Sequence, residues 1–191
     1  MAETGRDGVV IETRAGRLEA SRRADGRITV NMGLARSDWR EIPLAVPADT
    51  YCLEVAHGSL SGPVAVSMGN PHAVFFVADV DTVLLAEVGP VLEHHPLFPE
   101  RTNVEVVQVL GSGRLRMRVW ERGAGITSAC GTGACAALVA AVRRGLCGRS
   151  AEVVLDGGVL EVAWHPDGHV FMTGPVATSF SGRLAPGLLS T

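Results

Sequence analysis

The sequence predicts an α+β fold, a mostly antiparallel sheet wrapped around one central helix. Two observations carry that expectation. Short β-branched runs recur along the chain between turn signals, and the chain opens on them. Only residues 131–144 combine helical spacing with good termini at both ends.

Val9-Val10-Ile11-Glu12-Thr13 is the first expected strand, after residues 1–8, which read as a disordered tail. Residues 17–21 and 27–32 flank Arg22-Arg23-Ala24-Asp25-Gly26, whose Asp-Gly is a hairpin turn signal. Beyond Pro43 and Pro47, residues 51–56, 64–68 and 72–77 read as further strands. Residues 86–95 read as a helix, although Pro90 inside it removes a donor and opposes that assignment. Residues 104–110 and 114–120 follow as strands divided by Gly111-Ser112-Gly113. The helix over 131–144 ends with Arg143 and Arg144 at the negative end of its dipole and Gly145 at the C′ position. Residues 151–155 and 159–164 form a hairpin across Asp156-Gly157-Gly158. Residues 170–173 then complete a domain over 9–175, and 177–180 form a returning strand within a C-terminal tail over 176–191.

Across its 191 residues the chain is 47% hydrophobic and only 19% charged, the balance of a well-cored globule rather than a disordered chain. Its formal net charge of −3 gives no basic footprint, so a nucleic-acid partner is not expected. No apolar run approaches bilayer length, and residues 1–7 lack a signal-peptide pattern, so the expected location is cytoplasmic, with no membrane partner. The four cysteines, Cys52, Cys130, Cys135 and Cys147, form no CxxC pair and no metal-ligand cluster. Buried free thiols are the plain reading for all but Cys130.

Cys130 stands at the mouth of Ala129-Cys130-Gly131-Thr132-Gly133-Ala134, directly before the helix. Free N–H groups and the positive dipole end there favour a thiolate and can also hold a carboxylate. The expectation is a half-exposed thiol that ionises below its ordinary range. Cys135 differs: with Leu138, Val139 and Val142 it recurs at helical spacing, as a core stripe does. In the preceding strand Leu115, Met117 and Val119 alternate with three arginines, and Glu121 falls on the same inward phase. Either it meets a partner or a ligand's ammonium group there, or the strand ends at Trp120 and Glu121 turns to water. In Met68-Gly69-Asn70-Pro71-His72, a plain Asn-Pro turn with a surface histidine competes with a functional pair. His94-His95 reads as a solvated helix end, and Asn103 as strand-initiating turn chemistry.

Four segments together resemble the diaminopimelate epimerase family: Gly69-Asn70-Pro71-His72, Arg101-Thr102-Asn103-Val104, Glu121-Arg122-Gly123-Ala124-Gly125 and Ala129-Cys130-Gly131-Thr132-Gly133-Ala134. Their order and rough spacing fit, and the similarity covers residues 9–184. The resemblance implies two similar halves, each a sheet around a central helix, with the substrate in the cleft between. It implies interconversion of LL- and meso-diaminopimelate without cofactor or metal, by two thiols on opposite faces of the α-carbon. Cys130 would be one of them, with His72 and Glu121 assisting. Asn70, Asn103, Glu121 and Arg122 would hold the distal end of the substrate or order the site. Gly131 and Thr132 would donate backbone N–H groups to the α-carboxylate.

The chain departs from the family at Ile126, where glutamate is usual, and at Ala73. It shows no Cys-Gly-Asn-Gly segment, which carries the other thiol; Cys52 lies in the unrelated Thr50-Tyr51-Cys52-Leu53-Glu54. The implied partners are diaminopimelate and either a separate N-terminal half or a second copy of the chain. Two other readings compete: a catalytically silent binding half-domain, and another isomerase of the same fold, proline-racemase-like or phenazine-biosynthesis-like.

Overall fold

The structure is a computed structural model that describes residues 5–13, 16–183, 185 and 187. Residues 1–4 of the expected tail, and the chain's last residues, lie outside that range. The chain runs β1 (Gly8–Thr13), β2 (Gly16–Arg22), β3 (Ile28–Leu34), β4 (Ala56–His57), β5 (Leu60–Ser61), β6 (Val64–Ser67) and β7 (Pro71–Phe76). It continues through α1 (Leu85–Glu93), β8 (Asn103–Gly111), β9 (Arg114–Glu121), β10 (Gly125–Thr127) and α2 (Gly131–Arg143). The last elements are β11 (Ser150–Leu155), β12 (Gly158–Trp164) and β13 (His169–Gly174).

Among the described residues, one eleven-stranded sheet takes the order β1-β2-β3-β13-β12-β11-β9-β8-β7-β6, with β10 folded back onto β9 and β4-β5 apart. The sheet is antiparallel except where β7 meets β8 and β9 meets β11. A parallel neighbour cannot be reached by a tight turn and needs a crossover. The two α-helices are those crossovers: α1 lies between β7 and β8, and α2 between β9 and β11. The fold is the expected α+β type.

The crossovers lie on opposite faces, so alternate strand residues serve two cores. Val74, Val107, Leu115, Met117 and Val119 pack with α2. Ala73, Phe75, Val104 and Val106 pack with Leu85, Val88 and Leu92 of α1. Those three α1 side chains explain why the helix survives Pro90: their burial outweighs one lost backbone hydrogen bond.

α2 is more deeply enclosed than its sequence suggests. Every residue from Gly133 to Ala141 is buried, and strands β6, β7, β8, β9, β11, β12 and β13 all touch it. A helix apolar all round is an interior helix, so the stripe expectation was too narrow. Cys135, Leu138 and Val139 are buried as expected, but so are Ala134, Ala136, Ala137, Ala140 and Ala141, while Val142 is only partly buried. The helix ends where expected, with Gly145 at a φ of 68° and its N–H on the Val142 carbonyl.

Two expected strands are absent. Residues 51–55 are irregular: Leu53 and Val55 are buried, but their backbone bonds to Pro63 and Gly62 rather than to a strand ladder. Arg143 also reaches in, donating to the carbonyls of Thr50 and Ala65 and to Thr50 Oγ1. Residues 177–180 carry no regular structure, and Phe180 is 87% exposed. Without a sheet edge to pair with, β-propensity alone does not make a strand.

Gly89 in α1 sits directly on the Trp120 ring, where an added Cβ would fall 2.5 Å from Cδ2. Gly89→Ala should therefore destabilise the fold by about 1–3 kcal/mol, the usual cost of overpacking. Chemical denaturation measures it, and an unchanged midpoint would show that α1 does not seat on Trp120.

Candidate active site

Sheet register gathers the sequence motifs at one place. His72 lies opposite Asn103 across the parallel β7–β8 pair, and Val104 lies opposite Trp120 across β8–β9. Both β7 and β8 start at this end of the sheet, and β9 finishes there at Glu121. The N-terminus of α2 opens beside them. Strand phase turns His72, Glu105 and Glu121 toward the α2 face, the side of Val74, Val107 and Val119.

Cys130 is the N-cap of α2, with extended backbone at φ −138° and ψ 108°. Its carbonyl accepts from Ala134 N, and its Sγ accepts from Gly133 N at 3.4 Å. Thr132 Oγ1 lies 3.6 Å from the sulfur. The setting is the expected one, but its electrostatic outcome is reversed. Cys130 is only 6% exposed, and its thiol is pushed up to about 12. Burial is the largest cause, followed by the negative charge of Glu105 and, more weakly, Glu121. The hydrogen bonds from Thr132 and Gly133 act the other way and lose. The half-exposed position is also corrected: the sulfur joins the α2 core, and Met172 Sδ crowds the helix start, 3.0 Å from where a Gly131 Cβ would stand.

His72 is wholly buried, which corrects the surface reading of its turn. Its Nδ1 lies 2.7 Å from Glu105 Oε1 and its Nε2 lies 3.0 Å from Asn70 Oδ1. Asn70 Nδ2 donates in turn to Thr132 Oγ1 at 3.4 Å. Glu105 is the site residue that sequence reasoning missed. The available signal was a carboxylate inside Asn103-Val104-Glu105-Val106-Val107, where a charge demands a buried partner. Gly133 admits it, since a Cβ there would lie 2.9 Å from Glu105 Oε1 and 3.2 Å from Cys130 Sγ.

The Glu121-Arg122 turn is held from behind. Glu93 is buried at the end of α1 and accepts from Trp120 Nε1 at 2.7 Å and from Gly123 N at 2.9 Å. Burial raises the Glu93 carboxyl, yet those two hydrogen bonds, with His94 and Arg101, outweigh it and hold it below its usual range. Asn103 clamps the front: Nδ2 donates to the Pro71 carbonyl and Oδ1 accepts from Arg122 N, both at 2.9 Å. Both ends of that 97%-buried amide are thus engaged by backbone. Glu121 accepts a short hydrogen bond from Thr127 Oγ1. The Arg122 guanidinium donates to the Glu100 carbonyl. Cys52 is exposed far from this cluster, and His94 and His95 bond locally to the Pro90 carbonyl and Leu97 N.

Burial of the thiols has a pH consequence. Native Cys130 keeps its proton to about pH 12, whereas an unperturbed thiol loses it near 9.0. Between those values the native state binds more protons, so stability is full below about pH 9 and falls as pH rises toward 12. Cys135 is raised by burial as well and adds to the slope. The chain has no lysine and one tyrosine, so few other side chains titrate in this window. Urea denaturation at pH 7, 9 and 10.5 should show a smaller alkaline loss in Cys130→Ala than in the parent; equal losses would contradict the buried, protonated thiol.

Comparison with known proteins agrees with this architecture. The family profile described as Diaminopimelate epimerase matches residues 64–179. The diaminopimelate epimerase of Rhodospirillum centenum is 60% identical over 186 residues, which is 97% of this chain and 64% of that protein. That of Phenylobacterium zucineum is 57% identical over 188 residues, covering 96% of this chain and 68% of its own. The chain thus spans about two thirds of the length of the curated relatives it matches. Among solved structures, a hydroxyproline epimerase from Agrobacterium vitis has a TM-score of 0.59 at 18% identity, covering 88% of this chain and 58% of that one. A probable proline racemase from Agrobacterium radiobacter K84 has a TM-score of 0.60 at 17% identity, covering 94% and 61%. At such identities the likeness concerns the fold. The chain belongs to the diaminopimelate epimerase family.

Proposed function

We propose that this chain supplies one acid/base thiol, Cys130, and most of the substrate-holding groups of a cytoplasmic, cofactor-independent epimerase acting on diaminopimelate. The observation that supports it best is the thiol at the N-cap of a buried helix, beside the strand ends that carry His72 and Glu121. The names of the close relatives point to the same substrate.

Inversion at an α-carbon needs a base on one face and an acid on the other. Cys130 serves one face. The second thiol belongs to the part of the family's length that this chain does not span. In the free chain Cys130 holds its proton and stands ready as the donor. In the opposite direction it must act as thiolate. A substrate ammonium group beside Glu121 would offset the negative charge that resists its ionisation.

The N–H groups of Gly133 and Ala134 are taken by Cys130 itself, to Sγ and to the carbonyl. Those of Gly131 and Thr132 remain at the open end of the helix, suited to an α-carboxylate. Asn70, Glu121 and Arg122 would meet the second amino-acid end. Asn103 acts on it indirectly, by tying Arg122 to the start of β7.

A chimera tests this reading: the chain replaces the matching 64% of the Rhodospirillum centenum enzyme. It should interconvert LL- and meso-diaminopimelate, and Cys130→Ser should lower kcat by about 100-fold or more. A folded chimera that binds diaminopimelate without inverting it would favour a silent binding domain. The chain alone should give no inversion in a coupled assay. Inversion by the isolated chain would refute the two-thiol account.

A further inference from the structure

The hydrogen bonds around Glu105 form a directional series that ends at the thiol. Glu105 is wholly buried, and its Oε2 has no hydrogen-bond partner. Its Oε1 meets His72 Nδ1; His72 Nε2 meets Asn70 Oδ1; Asn70 Nδ2 meets Thr132 Oγ1; and Thr132 Oγ1 meets Cys130 Sγ. We propose that Glu105 is a positioning residue of the site, which fixes the direction of this series so that the Thr132 hydroxyl donates to Cys130 Sγ. Its catalytic meaning rests on the epimerase reading above.

Direction follows from the donor and acceptor inventory. An Asn amide accepts only through oxygen and donates only through nitrogen. With Oδ1 on His72, Nε2 must carry a hydrogen. With Nδ2 on Thr132, the threonine oxygen accepts there and its own hydrogen is left for the sulfur. The opposite arrangement is geometrically available: the Asn70 amide turns over, Nε2 is bare, and Thr132 donates to Asn70 instead.

Charge separates the two. In the opposite arrangement neutral His72 gives its single hydrogen to a Glu105 carboxylate, which leaves a net negative charge on a pair with no exposed surface. An uncompensated buried charge is strongly disfavoured. In the stated arrangement one more proton resides in the 2.7 Å contact between Nδ1 and Oε1, and the pair is neutral overall. A proton on Glu105 Oε2 would also neutralise the pair, but it would be a buried donor with no acceptor. A neutral pair with its proton in the Nδ1–Oε1 contact therefore requires Nε2–H, and Nε2–H requires the Asn70 orientation that frees the Thr132 hydroxyl. Gly133 completes the geometry, because a side chain there would push Glu105 Oε1 off its place beside the helix. The acidic and thiol groups facing Cys130 are Glu105 on β8, Glu121 on β9 and Cys135 on α2.

Nitrogen-15 NMR of the histidine side chains in the intact chain reads this directly. The His72 signal is assigned among the six histidines by its loss in His72→Gln. The expected spectrum shows a hydrogen on Nε2 with slow exchange. A bare Nε2 in the parent chain would overturn the proposal, and this measurement needs no Glu105 variant to fold. In Glu105→Gln both tautomers are neutral, since the amide can accept from Nδ1–H or donate to a bare Nδ1, so the Nδ1–H form should become populated. Its complete absence would overturn charge as the cause of the direction. In the active chimera Glu105→Gln should lower kcat about tenfold with KM unchanged, and an unaltered kcat would remove Glu105 from the reaction. A chimera inactive even with Glu105 intact would count against the epimerase reading alone, while the NMR result would still decide the series.

Discussion

Burial of α2 on every side is the constraint on which the rest of the structure depends. With seven strands packed against it, the helix has no lateral surface for a ligand. Its side chains from Gly133 to Ala141 are accordingly small or apolar, and only its ends can carry chemistry. At the N-terminal end, the same close packing that lets the sheet wrap around the helix brings Glu105 against Gly133 and Cys130. Enclosure therefore shapes both the scaffold and the ionisation of the thiol. A helix N-terminus by itself favours a thiolate, but desolvation and two carboxylates reverse that preference here.

The site also depends on the second core, although none of its chemistry faces there. β9 is shared: Val119 packs toward α2, while Trp120 packs toward α1. The Trp120 indole rests on Gly89 and donates to Glu93, and Glu93 accepts from the backbone of Gly123 as well. Glu121 and Arg122 are thus carried on a turn held from the α1 side by a buried carboxylate and from the β7 side by Asn103. Arg101, which donates to Glu93, adopts a left-handed conformation at φ 61°, two residues before β8 begins at Asn103. Such a conformation is costly for a non-glycine residue and persists where the surroundings hold it.

Most of the fold was legible because period and punctuation agreed with each other. Asp25-Gly26, Asp156-Gly157-Gly158 and Gly145 each mark a boundary that the structure keeps. The two failed strands share a cause: residues 51–55 and 177–180 look extended, but a strand exists only where a neighbour supplies its hydrogen bonds. Helical spacing correctly buried Cys135, whereas Glu121, for which two readings stood open, is the last residue of β9, partly buried and bonded to Thr127. What local pattern could not convey was the sum of environments around Cys130. Its helix-end position is visible in Cys-Gly-Thr-Gly, whereas Met172, Glu105 and the enclosing sheet come from segments far away in sequence. Glu105 itself was overlooked because a single acid among valines resembles a surface strand position until the parallel neighbour β7 is known.

The Cys130 neighbourhood favours proton-holding forms. Burial keeps the thiol protonated, and the proposed neutral His72–Glu105 pair, itself wholly buried, shares a proton beside it. Glu121 is the less buried of the two carboxylates that act on the thiol, and it stands at the open end of β9. A cation arriving there would offset the weaker but more accessible of the two negative charges that act on the thiol. On the reading proposed above, diaminopimelate brings an ammonium group at each amino-acid end, and its binding and thiol ionisation would be coupled through Glu121. On that account the resting site disfavours the reactive thiolate when no substrate is present, and the substrate's own charge lowers the barrier to forming it.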